Sequence, residues 1–193
     1  CEMDTILSIA QKHDLYVIED AAQAILSKYK DQYCGTIGDI GCFSFHETKN
    51  IQCGEGGAIL INRKDLVEKA EIIREKGTNR TKFWKGEIDK YTWVDVGSSY
   101  LLSEVNAAFL VAQFEQSSWI ISERLIRWDH YNTKLQQLNC NPSLHLPQIP
   151  KECTHNAHMY HVNTPDIISR DKLLHYLKEN GCMCVFHYVP LHS

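Results

Sequence analysis

Glycine and proline are scarce, together only 15 of 193 residues. That scarcity excludes collagen-like, low-complexity and disordered chains. No run of about 18 apolar residues occurs, so no membrane-crossing helix is expected. Nor does a basic segment lead into an apolar one at the start, so no secretory leader is expected. Positive charge is not in excess. Lys and Arg number 20 against 24 Asp and Glu, a formal net charge of −4, which speaks against a general binder of nucleic acid or anionic membrane. The eight cysteines contain no C-x-x-C pair and are irregularly spaced. They read as reduced thiols of a cytoplasmic protein, not as a disulfide framework. No internal repeat is present.

What remains is an ordinary globular composition, 44% hydrophobic and 23% charged. It is long enough to bury a core as one large domain, or one domain and part of another. Residues 2–13 place Met3, Ile6, Leu7 and Ala10 on one helical face. LYVIE (15–19) then reads as a buried strand, the αβ beat of a parallel sheet. A turn-rich stretch with Gly35, Gly38 and Gly41 leads to a second strand, CFSFH (42–46). The loop ETKNIQCGEGG (47–57) leads to a third, AILIN (58–62). Residues 64–76 form an amphipathic helix with Gly77 as its cap.

Residues 78–102 lack periodicity and read as a functional loop. A helix capped by Ser103 runs, with a kink, to about Leu138. Its stripe of Val105, Ala108, Phe109 and Ala112 is expected in core or dimer packing. Pro142, Pro147 and Pro150 mark a linker over 139–150. A strand (158–162), a helix (169–181) and a strand (182–188) follow. The expected organisation is a large α/β domain over 1–125, a linking helix and linker over 126–150, and the start of a smaller α/β domain over 151–193.

Four residues carry the sharpest chemical signal. Asp20 and Gln23 follow one expected strand, and Ser44 and Lys49 lie on or just after another. Ligands of open α/β sheets bind at the carboxyl ends of strands. A lysine beside a Gly-rich turn, with a carboxylate at a neighbouring strand end, suits Schiff-base chemistry with a carbonyl cofactor. The same positions also suit a helix N-cap and a solvated lysine. Residues 74–90 hold six basic and three acidic side chains. They are either a solvated loop or a surface for a diphosphate, with Arg80 foremost and Lys76 second. His155, His158 and His161 imitate a metal array, but steps of three on a strand alternate faces, so no metal site is expected. The G-E-G-G at 54–57 is neither a dinucleotide fingerprint nor a P-loop.

The segments VIEDAAQA (17–24) and GDIGCFSFHETKNIQCGEGGAILIN (38–62) resemble the sugar aminotransferases of the DegT/DnrJ/EryC1/StrS family. The likeness continues through residues 74–108 and 155–162 to VFHYVPLHS (185–193). Within the family, GTNR and KYTW-VD-GSSYL are most similar to the branch that makes dTDP-4-amino-4,6-dideoxygalactose, the enterobacterial-common-antigen type. The resemblance implies fold type I, mainly parallel sheet with flanking helices, and pyridoxal 5'-phosphate as cofactor.

By position, the resemblance makes Lys49 the Schiff-base lysine and Asp20 the partner of the pyridinium nitrogen. It puts Gln23 near the ring and its phenolic oxygen, and Ser44 on the phosphate. Where many members have a partner-subunit Asn and then Arg, this chain has Ser99 and Leu101, so Ser99 is the corresponding phosphate contact. Arg80, Lys76, Tyr188 and His192 fall near the sugar-nucleotide site. The implied reaction moves an amino group from L-glutamate to the C4 keto group of a nucleotide-linked 4-keto-6-deoxyhexose, dTDP-4-dehydro-6-deoxy-D-glucose first. It would do so in a cytoplasmic homodimer with shared active sites. A family dehydratase would have His in place of Lys49. The other alternative is a non-catalytic fold type I fragment serving as a cofactor, sugar-nucleotide or dimerisation module. The chain is expected to be an internal piece, lacking N-terminal and C-terminal parts of the enzyme.

Overall fold

The computed structural model describes residues 1–138 and 144–192. The first apolar stripe forms α1 (Met3–Lys12). Met3 and Ala10 bury against Val17 and Tyr29, with Leu7, Ile37 and Cys153 packed around them. The sheet that follows has the order β1-β4-β5, from β1 (Ile18–Asp20), β4 (Ile40–Ser44) and β5 (Gly57–Ile61). β1 and β4 are parallel, with Asp20 beside Cys42. β4 and β5 are antiparallel, with Ser44 beside Gly57.

Between β1 and β4 the chain forms no helix. It makes the short strands β2 (Lys28–Tyr29) and β3 (Gln32–Tyr33). These pair with β6 (Cys153–Thr154) in a second, antiparallel sheet of order β3-β2-β6. The architecture is α/β as expected, with mixed sheets rather than an unbroken parallel one.

The glycine-rich stretch before β4 is held by one side chain. Glu19 accepts three backbone N–H groups, from Gly35 (2.7 Å), Ile37 (2.6 Å) and Gly38 (2.7 Å). Gly41 is required by proximity, since a Cβ there would lie 2.0 Å from the Gly35 carbonyl oxygen. Glu19→Gln keeps the shape but turns a donor toward these donors. It is expected to cost about 1.5–3 kcal/mol, read as a lower urea midpoint at unchanged slope. An unchanged midpoint would remove Glu19 as the anchor.

A 3₁₀ turn at Lys64–Leu66 leads into α2 (Val67–Arg74). The left-handed exit begins at Lys76 (φ 63°), one residue before the expected glycine cap, and Gly77 continues it (φ 77°). A Cβ on Gly77 would lie 1.9 Å from the Asp95 carbonyl oxygen, so residues 92–100 pack directly onto this turn. Residues 78–102 are not featureless. They contain α3 (Arg80–Trp84) and antiparallel bridges pairing Glu75 with Ser99 and Thr78 with Trp93.

α4 (Glu104–Glu115) is capped by Ser103 Oγ, which accepts from Asn106 N at 3.3 Å. It breaks at Gln116 before α5 (Ser117–Gln137). Its buried residue is Leu110, whereas Val105 is 79% exposed and Phe109 49%. The expected stripe therefore faces away from this chain's own core. Leu110 packs with Phe45, Ile51 and Cys53, beside Ile25, Phe43, Leu102 and Ile120.

The chain divides into two units, Cys1–Ile126 with Ile149–His158, and Arg127–Gln148 with Met159–Ser193. The expected boundary at 150/151 is thus redrawn. Residues 149–158 belong to the first unit because β6 pairs with β2 and Asn156 bonds to Gln23 and Ile25. Residues 139–143 of the expected linker, Pro142 included, and Ser193 lie outside the described residues.

In the second unit Trp128 Nε1 donates to the Met159 carbonyl (3.1 Å). Tyr160 packs against Trp128 and Tyr131. α6 (Ile167–Glu179) is capped by Asp166, which accepts from Ser169 N at 2.7 Å. The strands expected at 158–162 and 182–188 do not form. Apolar β-prone residues make a strand only with a ladder partner. Among the described residues these segments have none beyond a single bridge of Asn163 to His145. Among the described residues no helix is long and apolar enough to cross a membrane.

Candidate functional site

Because β1 and β4 run parallel, their carboxyl ends share one edge of the sheet. Asp20 ends β1 and Ser44 ends β4. The chain leaves Asp20 in a turn, with its Oδ1 accepting from Ala22 N at 3.1 Å. That turn presents an exposed carboxylate, followed by the exposed Gln23. Beyond Ser44 the chain makes the loop 45–56, which returns to β5.

The loop is built to hold its shape. Phe45 N donates to the Gly56 carbonyl, Glu47 N to that of Gly54, and Cys53 N to that of Phe45. Phe45, Ile51 and Cys53 are buried, Ile51 completely. Burying each of the two large side chains contributes about 1.5–3 kcal/mol. At the far end Asn106 Nδ2 donates to the Glu55 carbonyl (3.2 Å), which fixes the loop to the first turn of α4.

Lys49 sits in this loop, its N–H donating to the His46 carbonyl (2.9 Å). The side chain is half-buried. Lys30, Lys69, Lys82 and Lys85 each pair with a carboxylate, whereas Lys49 has no carboxylate partner among the described residues. Ser44 Oγ accepts weakly from His46 N (3.4 Å), and its own hydroxyl hydrogen remains to donate. A carboxylate and a hydroxyl donor thus stand at neighbouring strand ends, and the loop that leaves the second of them carries an amine. That donor set fits a phosphorylated pyridine aldehyde, whose carbonyl needs an amine, whose ring nitrogen needs an anion and whose phosphate needs N–H and O–H donors.

A second group is gathered where α2 ends. Lys76 N donates to the Ser98 carbonyl (3.1 Å) and Tyr100 N to that of Arg74 (3.2 Å). Ser99 bridges Glu75. This one turn therefore carries Lys76 and Ser99, with Arg80 at the start of α3. Arg80 Nη1 is 3.9 Å from Glu75 Oε2. The guanidinium lies over the rings of Trp84 (5.3 Å) and Tyr91 (5.6 Å). Buried Arg80 Nε and Glu75 Oε2 lack hydrogen-bond partners. Tyr188 and His192 belong to the second unit, both exposed, Tyr188 in the left-handed region (φ 62°).

The histidine triplet resolves into separate duties. His155 Nδ1 accepts from Ala157 N (3.3 Å), and His158 Nδ1 meets Asn50 Oδ1 (3.1 Å). The residues that sequence reasoning missed are Asn50, Asn156 and Arg124. Asn50 and Asn156 are buried polar residues bonded to each other across the chain (2.7 Å). Arg124 donates to the carbonyls of Ala157 (3.1 Å) and His158 (2.6 Å), and burial pushes its guanidinium below its ordinary pKa. No local pattern marks them, because Asn156 meets Asn50, Gln23 and Ile25 from more than 100 residues away.

The chain is 33% identical over 198 residues to the GDP-perosamine synthase of Caulobacter vibrioides, covering 100% of this chain and 50% of that protein. Its fold matches the solved structure of S. venezuelae DesV at 29% identity and TM-score 0.83, over 100% of this chain and 48% of the other. An aminotransferase from Brucella abortus matches at 26% identity and TM-score 0.83, again over 100% and 48%. The chain therefore spans about half the length of the curated relatives it matches. Residues 1–193 match the family of pyridoxal-phosphate enzymes described as DegT/DnrJ/EryC1/StrS aminotransferases, and the chain belongs to that family.

Proposed function

We propose that the protein is an aminotransferase that moves the amino group of L-glutamate to the C4 keto group of a nucleotide-linked 4-keto-6-deoxyhexose. The observation that supports this reading is that Asp20 and Ser44 end neighbouring parallel strands and that Lys49 lies in the loop following Ser44. When bound, pyridoxal phosphate supplies an aldehyde that captures amines and a ring that accepts negative charge from the donor's Cα.

The chain supplies the rest. Lys49 Nζ would be the residue that holds the cofactor through its aldehyde, and as an amine released from it would be the group placed to accept the proton from the donor's Cα. Asp20 would face the ring nitrogen, where a carboxylate favours a proton on that nitrogen by opposite charge. Ser44 donates its hydroxyl hydrogen to the phosphate, and Gln23 packs beside the ring. Ser99 serves the phosphate of a partner subunit in a homodimer.

Arg80 and Lys76 hold the substrate's diphosphate. Arg80 would do so from its terminal nitrogens, since Nε is buried. The protein's proposed compartment is the cytoplasm, consistent with thiols at all seven described cysteines.

Purified protein supplied with glutamate and dTDP-4-dehydro-6-deoxy-D-glucose is expected to yield 2-oxoglutarate and the amino sugar nucleotide in equal amounts. The GDP-linked 4-keto sugar is the second arm, because the relatives from Caulobacter vibrioides and Escherichia coli O157:H7 are named GDP-perosamine synthase. Absence of both products with every 4-keto sugar nucleotide would overturn the reading.

A further inference from the structure

The residues expected around the cofactor stand on two loops, one carrying Gln23 and the other Lys49. One buried residue joins them, by its side chain on one side and its backbone carbonyl on the other. Asn156 is 3% exposed. Its Nδ2 donates to the carbonyls of Gln23 (2.9 Å) and Ile25 (2.8 Å), using both amide hydrogens. Its Oδ1 accepts from His158 N (3.0 Å). Its backbone carbonyl accepts from Nδ2 of Asn50 (2.7 Å), the residue after Lys49. Asn50 is itself 5% exposed, and its Oδ1 faces His158 Nδ1 at 3.1 Å. An amide oxygen only accepts, so this ring nitrogen carries the hydrogen.

The connecting turn is held from behind. Ala157 adopts a left-handed backbone (φ 50°) that residues with a Cβ rarely enter. It is kept there by Arg124, which donates to the carbonyls of Ala157 and His158.

We propose that Asn156 is a positioning residue that sets the Gln23 loop against the Lys49 loop. Asn50 is its counterpart on the lysine side, and Arg124 holds the turn. The inference rests on the cofactor reading of that site. Only asparagine meets these demands. A carboxylate would face two carbonyl oxygens, and alanine would leave two buried carbonyls without donors. The consequence is functional because a misplacement of about 1 Å between reacting groups costs roughly 10²-fold in rate.

The test uses Asn156→Ala and Asn156→Asp, with Asn156→Ser as the milder change should either fail to fold. Met3→Ala, in the separate cluster under α1, is the control matched for thermal stability. Without cofactor, hydrogen exchange should accelerate in residues 21–27 and 46–53 of the Asn156 variants and not in Met3→Ala. With pyridoxal phosphate bound, the visible band of the Asn156 variants should titrate at a shifted pH. Their kcat should fall roughly 10²-fold, with a smaller change in KM for glutamate. Exchange rates, titration and kcat equal to those of Met3→Ala at equal stability would overturn the role of Asn156. Borohydride labelling of the unaltered protein separates the two readings. If it labels Lys49 and the Asn156 variants are unshifted, only the positioning role fails. If it takes no label, the cofactor site fails and the inference with it.

Discussion

Lys49→Ala is expected to abolish amino transfer, since removing the base alone costs about 10²–10⁴-fold and the nucleophile is lost with it. The fold should remain, because the loop that carries Lys49 is anchored by Phe45, Ile51, Cys53 and Asn106, not by the lysine side chain. Lys49→Arg is the sharper variant. It keeps a cation of similar reach, but guanidinium stays protonated and can neither attack a carbonyl nor accept a proton. If Lys49 served only as a positive charge for the phosphate, Lys49→Arg would retain substantial turnover. If it is nucleophile and base, Arg and Ala fail alike. Single-turnover formation of 2-oxoglutarate from glutamate is the measurement. Equal loss in both variants, at unfolding midpoints close to the parent, is the expected result.

Asp20→Asn is expected to lower kcat/KM by about 10²–10³-fold, the scale of removing one preorganised electrostatic partner. The substitution is nearly neutral for the fold. Asp20 Oδ1 accepts from Ala22 N, and an asparagine oxygen can accept the same bond. What disappears is the negative charge proposed to keep a proton on the ring nitrogen. Asp20→Glu restores the charge with a longer reach and should recover part of the activity. Full activity of Asp20→Asn would show that Asp20 only shapes its turn.

Local signals made much of the architecture legible. The helices beginning at Met3, at Glu104 after its serine cap, and at Ile167 follow their periodicity and caps. The three strands of the first sheet lie within two or three residues of their expected places, since short apolar runs blur where pairing begins. The places of Asp20 and Ser44 at strand ends, and of Lys49 in the loop that follows, were readable because the apolar runs mark where the strands stop.

The rest was written in long-range contacts. β6 exists only because Tyr29 and Cys153 pair across the chain. The runs at 158–162 and 182–188 have strand composition but no ladder. HNAHMYHV drew attention for its histidines, whereas its structural weight rests on Asn156, an amide with no local signature. Glu19, read as the end of a buried strand, spends its carboxylate on three backbone N–H groups up to 19 residues away. Lys76 adopts the left-handed turn expected of Gly77, because residues 92–100 must approach the glycine closely.

Borohydride reduction of the pyridoxal-phosphate-loaded protein, followed by peptide mapping, tests the central claim most directly. The phosphopyridoxyl mass should appear once per chain, on the peptide bearing Lys49. A label on any other lysine, or on none, would contradict the account.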